Sequence, residues 1–144
     1  MPDARKMSSV ALTAALLFAV GACASSSQIR LAGSPDIPAA QGNVTVGTTE
    51  NGNTSVQFTV KHLAPPDKVS PGSTVYLVWA RPLDPGSTAT SLGALQLSEN
   101  LEGELATVTP LRAFDIFLTP ESAQAATFPS GREMLTARVQ MRNK

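Results

Sequence analysis

Cys23 is the one residue of this 144-residue chain whose type gives it a reactive thiol, and no second cysteine exists for it to pair with. A thiolate can attack an electrophile or ligate a soft metal, and a cysteine can also carry a modification. What precedes it narrows the choice. Arg5 and Lys6, partly offset by Asp3, make a positive start, and residues 10–20 form a run of eleven that is apolar apart from Thr13. With the small residues Gly21 and Ala22 before Cys23, the three parts of a secretory signal peptide are in place. As a helix the run would rise roughly 16 Å at about 1.5 Å per residue, against a hydrocarbon core of about 30 Å. It is too short to be a permanent span.

The other side chains with chemical potential do not assemble into a site. His62 is the only histidine. One imidazole without an available cysteine cannot build a zinc or blue-copper centre, so no metal and no cofactor are expected. Serines are plentiful, but no Gly-x-Ser-x-Gly elbow occurs, and any triad would depend on His62 alone. Glu99, Glu102 and Glu104 crowd one turn without the spacing of a calcium loop, and read as a solvated turn. No residue is assigned a catalytic role, and the chain is read as a non-enzyme.

Val20-Gly21-Ala22-Cys23 resembles the lipobox of bacterial lipoproteins, in which a branched apolar residue and two small ones precede the modified cysteine. The resemblance implies cleavage before Cys23 and at least two acyl chains on it. Two chains hold a protein stably on a membrane, where one holds only marginally. In a diderm bacterium, Ala24 in place of an aspartate implies transfer to the periplasmic face of the outer membrane. The alternative is an ordinary cleaved signal with Cys23 an incidental small residue. If the cysteine is spent on lipid, the domain has no disulfide, no thiol nucleophile and no soft metal ligand.

Residues 1–22 are thus expected to be the signal peptide and 23–144 the mature protein, 122 residues with nine basic and ten acidic side chains. That length supports one domain with a real core, and a charge near −1 offers no basic patch to nucleic acid. Few aromatics with many Pro and Gly suit an all-β domain rich in turns. Residues 24–40 are small, polar and proline-broken, and read as a flexible tether holding the domain about 20–25 Å from the headgroups.

From residue 41 onward short β-like runs alternate with turn residues. Residues 43–50 and 54–63 flank Asn51-Gly52, a strong hairpin signal, and Val56, Phe58 and Val60 alternate with polar neighbours. Residues 74–80 are apolar on both faces and read as a central strand, with Tyr76 and Trp79 in the core. Further runs at 92–97, 104–109, 112–119 and 135–141 bring the expected total to about seven. Number and spacing indicate an antiparallel immunoglobulin-like β-sandwich over 41–144. Only 120–128 reads as able to hold a helical turn, with Pro120 at its start.

Gly72-Ser73-Thr74-Val75-Tyr76-Leu77-Val78-Trp79, Leu92-Gly93-Ala94-Leu95, Phe114-Asp115-Ile116-Phe117-Leu118-Thr119-Pro120-Glu121 and Phe128-Pro129-Ser130-Gly131 together resemble the extracytoplasmic domain of the anti-sigma-K factor family. The resemblance covers about half of the mature domain and implies a β-sandwich outside the cytoplasm. Those regulators join the domain through a membrane span to a segment that holds the sigma factor. Neither piece is read in this chain, so anti-sigma activity is not expected.

The resulting expectation is a lipid-anchored envelope protein that binds or senses, with a periplasmic protein as its partner. The contact surfaces would be the loops 64–72, 81–87 and 120–131, with Asp67, Lys68, Arg81, Asp84 and Glu121 as their charged residues, since binding sits on loops of rigid scaffolds. Arg81 and Asp84 are expected to pair with each other. The competing readings are a structural envelope lipoprotein without a specific ligand, and a hydrolase using one of the serines.

Overall fold

The structure is a computed structural model and describes residues 25–142. The leader, the lipobox residues Val20, Gly21 and Ala22, and Cys23 itself lie outside the described residues. The chain folds as β1 (Ser27–Arg30), β2 (Gln41–Thr48), β3 (Thr54–Lys61), α1 (Pro66–Val69), β4 (Val75–Pro82), β5 (Thr90–Ala94), β6 (Gln96–Leu97), β7 (Gly103–Thr109), β8 (Ala113–Glu121) and β9 (Met134–Gln140).

Period-2 alternation builds the first sheet, ordered β1-β2-β3-β7-β6. Val44 and Val46 on β2 lie opposite Phe58 and Val56 on β3, and all four point into the core. Their neighbours Asn43, Thr45, Ser55 and Gln57 face outward, as a sheet with one solvated face requires. The hairpin closes through three residues. Gly52, at φ +81°, donates its N–H to the Thr49 carbonyl at 2.9 Å, and Thr49 donates to Asn53 at 2.8 Å. Asn51 keeps an ordinary negative φ, so the glycine alone takes the left-handed position.

The second sheet runs β5-β4-β8-β9, and every strand pair among the described residues is antiparallel. Within β2–β9, the orders β2-β3-β7-β6 and β5-β4-β8-β9 are the ABED and C′CFG connectivity of the immunoglobulin-like sandwich. The core between the sheets joins the inward valines and Phe58 to Tyr76, Val78, Ala80, Phe114, Ile116, Leu118 and Val139. The central-strand expectation for β4 is met, because it lies between β5 and β8. Its outward residues Leu77 and Trp79 are also buried, in a second cluster with Phe117. Ala89 and Ala126, both outside the strands, pack over that cluster, so loops cover the outer face of this sheet.

Three expectations need correction. The first concerns 24–40, read as a tether. Its described residues belong to the fold, and the sandwich starts at Ser27 instead of residue 41. Ser27 to Arg30 pair with β2, and Leu31, Ile37 and Ala40 lie in the core. Ala32 exchanges hydrogen bonds with Thr136 on β9 at 2.8 and 3.2 Å, joining the edges of the two sheets. Three apolar side chains spaced through this short segment give it enough burial to order it despite its prolines.

The second correction is the strand number, nine among the described residues in place of about seven. Besides β1, the run 92–97 divides in two. Its first part pairs with β4, and Leu95 donates its N–H to the Tyr76 carbonyl at 2.9 Å. The chain then crosses to the first sheet, where Gln96 and Leu97 pair with β7. Third, 120–128 holds no helical turn. Pro120 and Glu121 extend β8 opposite Tyr76 and Val75, and the only helix among the described residues is the four-residue α1.

The registers sort the loops into two ends. The near end holds the start of the described chain at Ser25, the turns at 49–53 and 110–112, and the loop 83–89. The far end holds 31–40, 62–74, 98–102 and 122–133.

Candidate functional site

Of the three loops expected to make contacts, two meet at the far end and one lies at the near end. The loop 64–72 carries α1, whose first residue Pro66 suits a helix start because no N–H is wanted there. Asp67 and Lys68 project from it, exposed, with their charges 3.9 Å apart. An exposed pair of this kind contributes little to stability. Thr74 at the end of this loop donates its hydroxyl to the Ser122 carbonyl at 3.0 Å, tying it to the loop that follows β8.

Between these loops, where the chain crosses from β5 to β6, the two sheets part around a cleft of about 390 Å³. Pro66, Thr74, Tyr76, Gln96, Leu97 and Gln124 are among the residues that line it. The Tyr76 hydroxyl donates to the Ala64 carbonyl at 2.6 Å. Burial, assisted by the negative charge of Asp67, pushes this phenol up to about 12, so it stays a neutral donor. The cleft therefore presents amides, hydroxyls and apolar walls, which suit recognition of an uncharged or extended segment by hydrogen bonding. Among the described residues no cluster of three or more His, Cys, Asp or Glu side chains could hold a metal. His62 is exposed, at φ +57°, beyond the end of β3.

Glu121 was expected on a contact loop, and the structure places it elsewhere. It is buried to 2 % exposure at the end of β8. Its Oε1 accepts from the Thr119 hydroxyl at 2.6 Å, the Ser130 N–H at 2.9 Å and the Gly131 N–H at 3.1 Å, while Oε2 accepts from the Ser130 hydroxyl. Thr119 in turn accepts from the Trp79 indole N–H at 2.8 Å. Burial pushes the Glu121 carboxyl up, but the hydrogen bonds from Ser130, Thr119 and Gly131 outweigh it and hold the group below the ordinary glutamate range. Glu121 is thus a latch that fastens the loop 122–133 across the Trp79 cluster. A buried carboxylate persists only where donors replace its lost water, and four are supplied here.

Arg81 and Asp84 do not pair, which corrects that expectation. The Arg81 guanidinium lies 4.6 Å from the Phe117 ring centroid and binds Glu133, while Asp84 stays exposed and its carbonyl accepts from Ser87 at 3.2 Å. Strand β4 runs through Arg81 to Pro82, so the side chain extends over the sheet and away from the following turn. Glu133 therefore meets it first.

Sequence reasoning missed the latch because its halves are nine and ten residues apart. Gly131 is the one available signal. A Cβ there would lie 2.1 Å from the Pro120 carbonyl oxygen, so only glycine permits this approach. Among the described residues no helix is long and apolar enough to cross a membrane. No protein-family model and no curated protein matches the chain.

Proposed function

We propose that this chain is a lipid-anchored envelope protein whose sandwich is a non-catalytic binding or sensing module for an envelope protein. The leader and the lipobox around Cys23 support the anchor. The anti-sigma-K resemblance supports an extracytoplasmic interaction domain. The observation that carries the binding reading is the far-end cleft, framed by α1 and the latched loop and furnished with Thr74, Gln96 and Gln124.

Two measurements test it. Cys23→Ala should abolish acyl labelling and release the protein to the soluble fraction; a variant that stays membrane-bound removes the anchor. Crosslinking of the native protein in cells should then capture a single stoichiometric partner, and a bulky Gln124→Arg change at the cleft should lose it. Recovery of bulk envelope material alone would support a structural lipoprotein instead.

A further inference from the structure

The correction to the tether changes how the anchored domain must stand. Ser27 is held by the β1–β2 pairing and lies four residues beyond Cys23. Four residues of extended chain span at most about 14 Å. Ser27 pairs with Val46, five residues from Gln41 at the far end of β2, or about 17 Å at about 3.3 Å per residue, and the far-end loops lie beyond it. The leash is shorter than this distance, so a lipid on Cys23 cannot bring the far end down to the membrane. Because β1 runs antiparallel to β2, its first residue lies opposite Val46, towards the near end.

Charge gives a second, independent argument. Near-end loops and the last described residue carry Glu50 and Asp84 against Arg112 and Arg142, a balanced set. The far-end loops carry Asp36, Asp67, Glu99 and Glu102 against Lys68 and Arg132, leaving aside Glu133, which pairs with Arg81. An anionic phospholipid surface would repel the far end and tolerate the near one. Exposed apolar side chains do not separate the ends, since Val108 is exposed on β7 and Leu101 and Phe128 are exposed on far-end loops.

We infer that the near end, through the turns at 49–53 and 110–112 and the loop 83–89, rests on the headgroups of a phospholipid bilayer. The far-end cleft is thereby aimed away from the membrane. This rests on the lipid-anchor reading above.

The acylated protein is reconstituted into phosphatidylethanolamine–phosphatidylglycerol vesicles containing a lipid with a spin-labelled headgroup. Since Cys23 is blocked by lipid, a single added cysteine can carry a fluorophore at Asn51→Cys or Thr88→Cys on the near end, or at Lys68→Cys or Glu99→Cys on the far end. Quenching should be several-fold stronger at the two near-end sites. Insertion of a flexible segment of about twelve residues after Ala24, adding ~20 Å of reach, should reduce the difference while leaving acylation intact. Equal quenching at both ends of an acylated protein, or stronger quenching at the far end, overturns the orientation alone. Absence of acyl label overturns the anchor and the orientation together.

Discussion

The two sheets treat their outer faces differently. In the first, β2, β3 and β7 bury one side and leave Thr45, Gly47, Ser55, Gln57 and Ala106 towards solvent. In the second, β4 and β8 are buried on both sides, because Leu77, Trp79 and Phe117 are covered by loops. A sheet with one solvated face needs nothing beyond its own pattern. A sheet with two apolar faces needs a cover, and a cover made of loop must be fastened. The difference explains why the buried carboxylate, its hydroxyl relay to Trp79 and the glycine without room for a side chain all fall on the second sheet.

The largest test of that contrast is Trp79→Ala. If the loop-covered face is as much a core as the space between the sheets, the change should cost about 3–5 kcal/mol, matching Phe58→Ala in the shared core. Denaturant unfolding decides; a loss below about 1 kcal/mol would make the cover superficial.

Glu121→Ala comes next. It leaves the Ser130 and Gly131 donors and the Thr119 hydroxyl without their acceptor, and should cost about 1–3 kcal/mol with faster proteolysis within 122–133. Because the folded-state pKa is lowered, the stabilisation is present above the unfolded glutamate value of about 4.3 and is lost as pH falls through the folded value. The wild-type chain should therefore lose stability in acid through this group, and Glu121→Gln should flatten that slope. An unchanged slope would show that the latch does not titrate with folding.

The smallest effect belongs to the first sheet's outer face. Gln57→Ala removes an exposed hydrogen bond to Glu104 at 2.9 Å and should stay within about 0.5 kcal/mol. A larger loss would mean that this face, too, is held by its polar contacts.

Much of this was legible from residue order. The Asn51-Gly52 turn located β2 and β3, alternation marked β3, and the apolar run of β4 announced burial on both sides. The segment before residue 41 was misread because two prolines and four serines break up its apolar residues. Yet Ile29 and Leu31 stand two apart, and Leu31 fits tightly enough that a Cβ on Gly42 would meet its Cδ1 at 2.6 Å. The crossing at Leu95 was not visible because a run that changes sheets keeps the same residue types on either side. Arg81 was paired with Asp84 by nearness in sequence, whereas a strand residue's reach is set by the face it points from.

By itself the sequence determined the all-β class, the hairpin and the central strand. These follow from local periodicity and turn residues. The tertiary structure alone decided what covers the second sheet, which acid lies buried, which loops share a cleft and from which end the chain emerges. Those depend on contacts between residues far apart along the chain, whose partners no local pattern specifies.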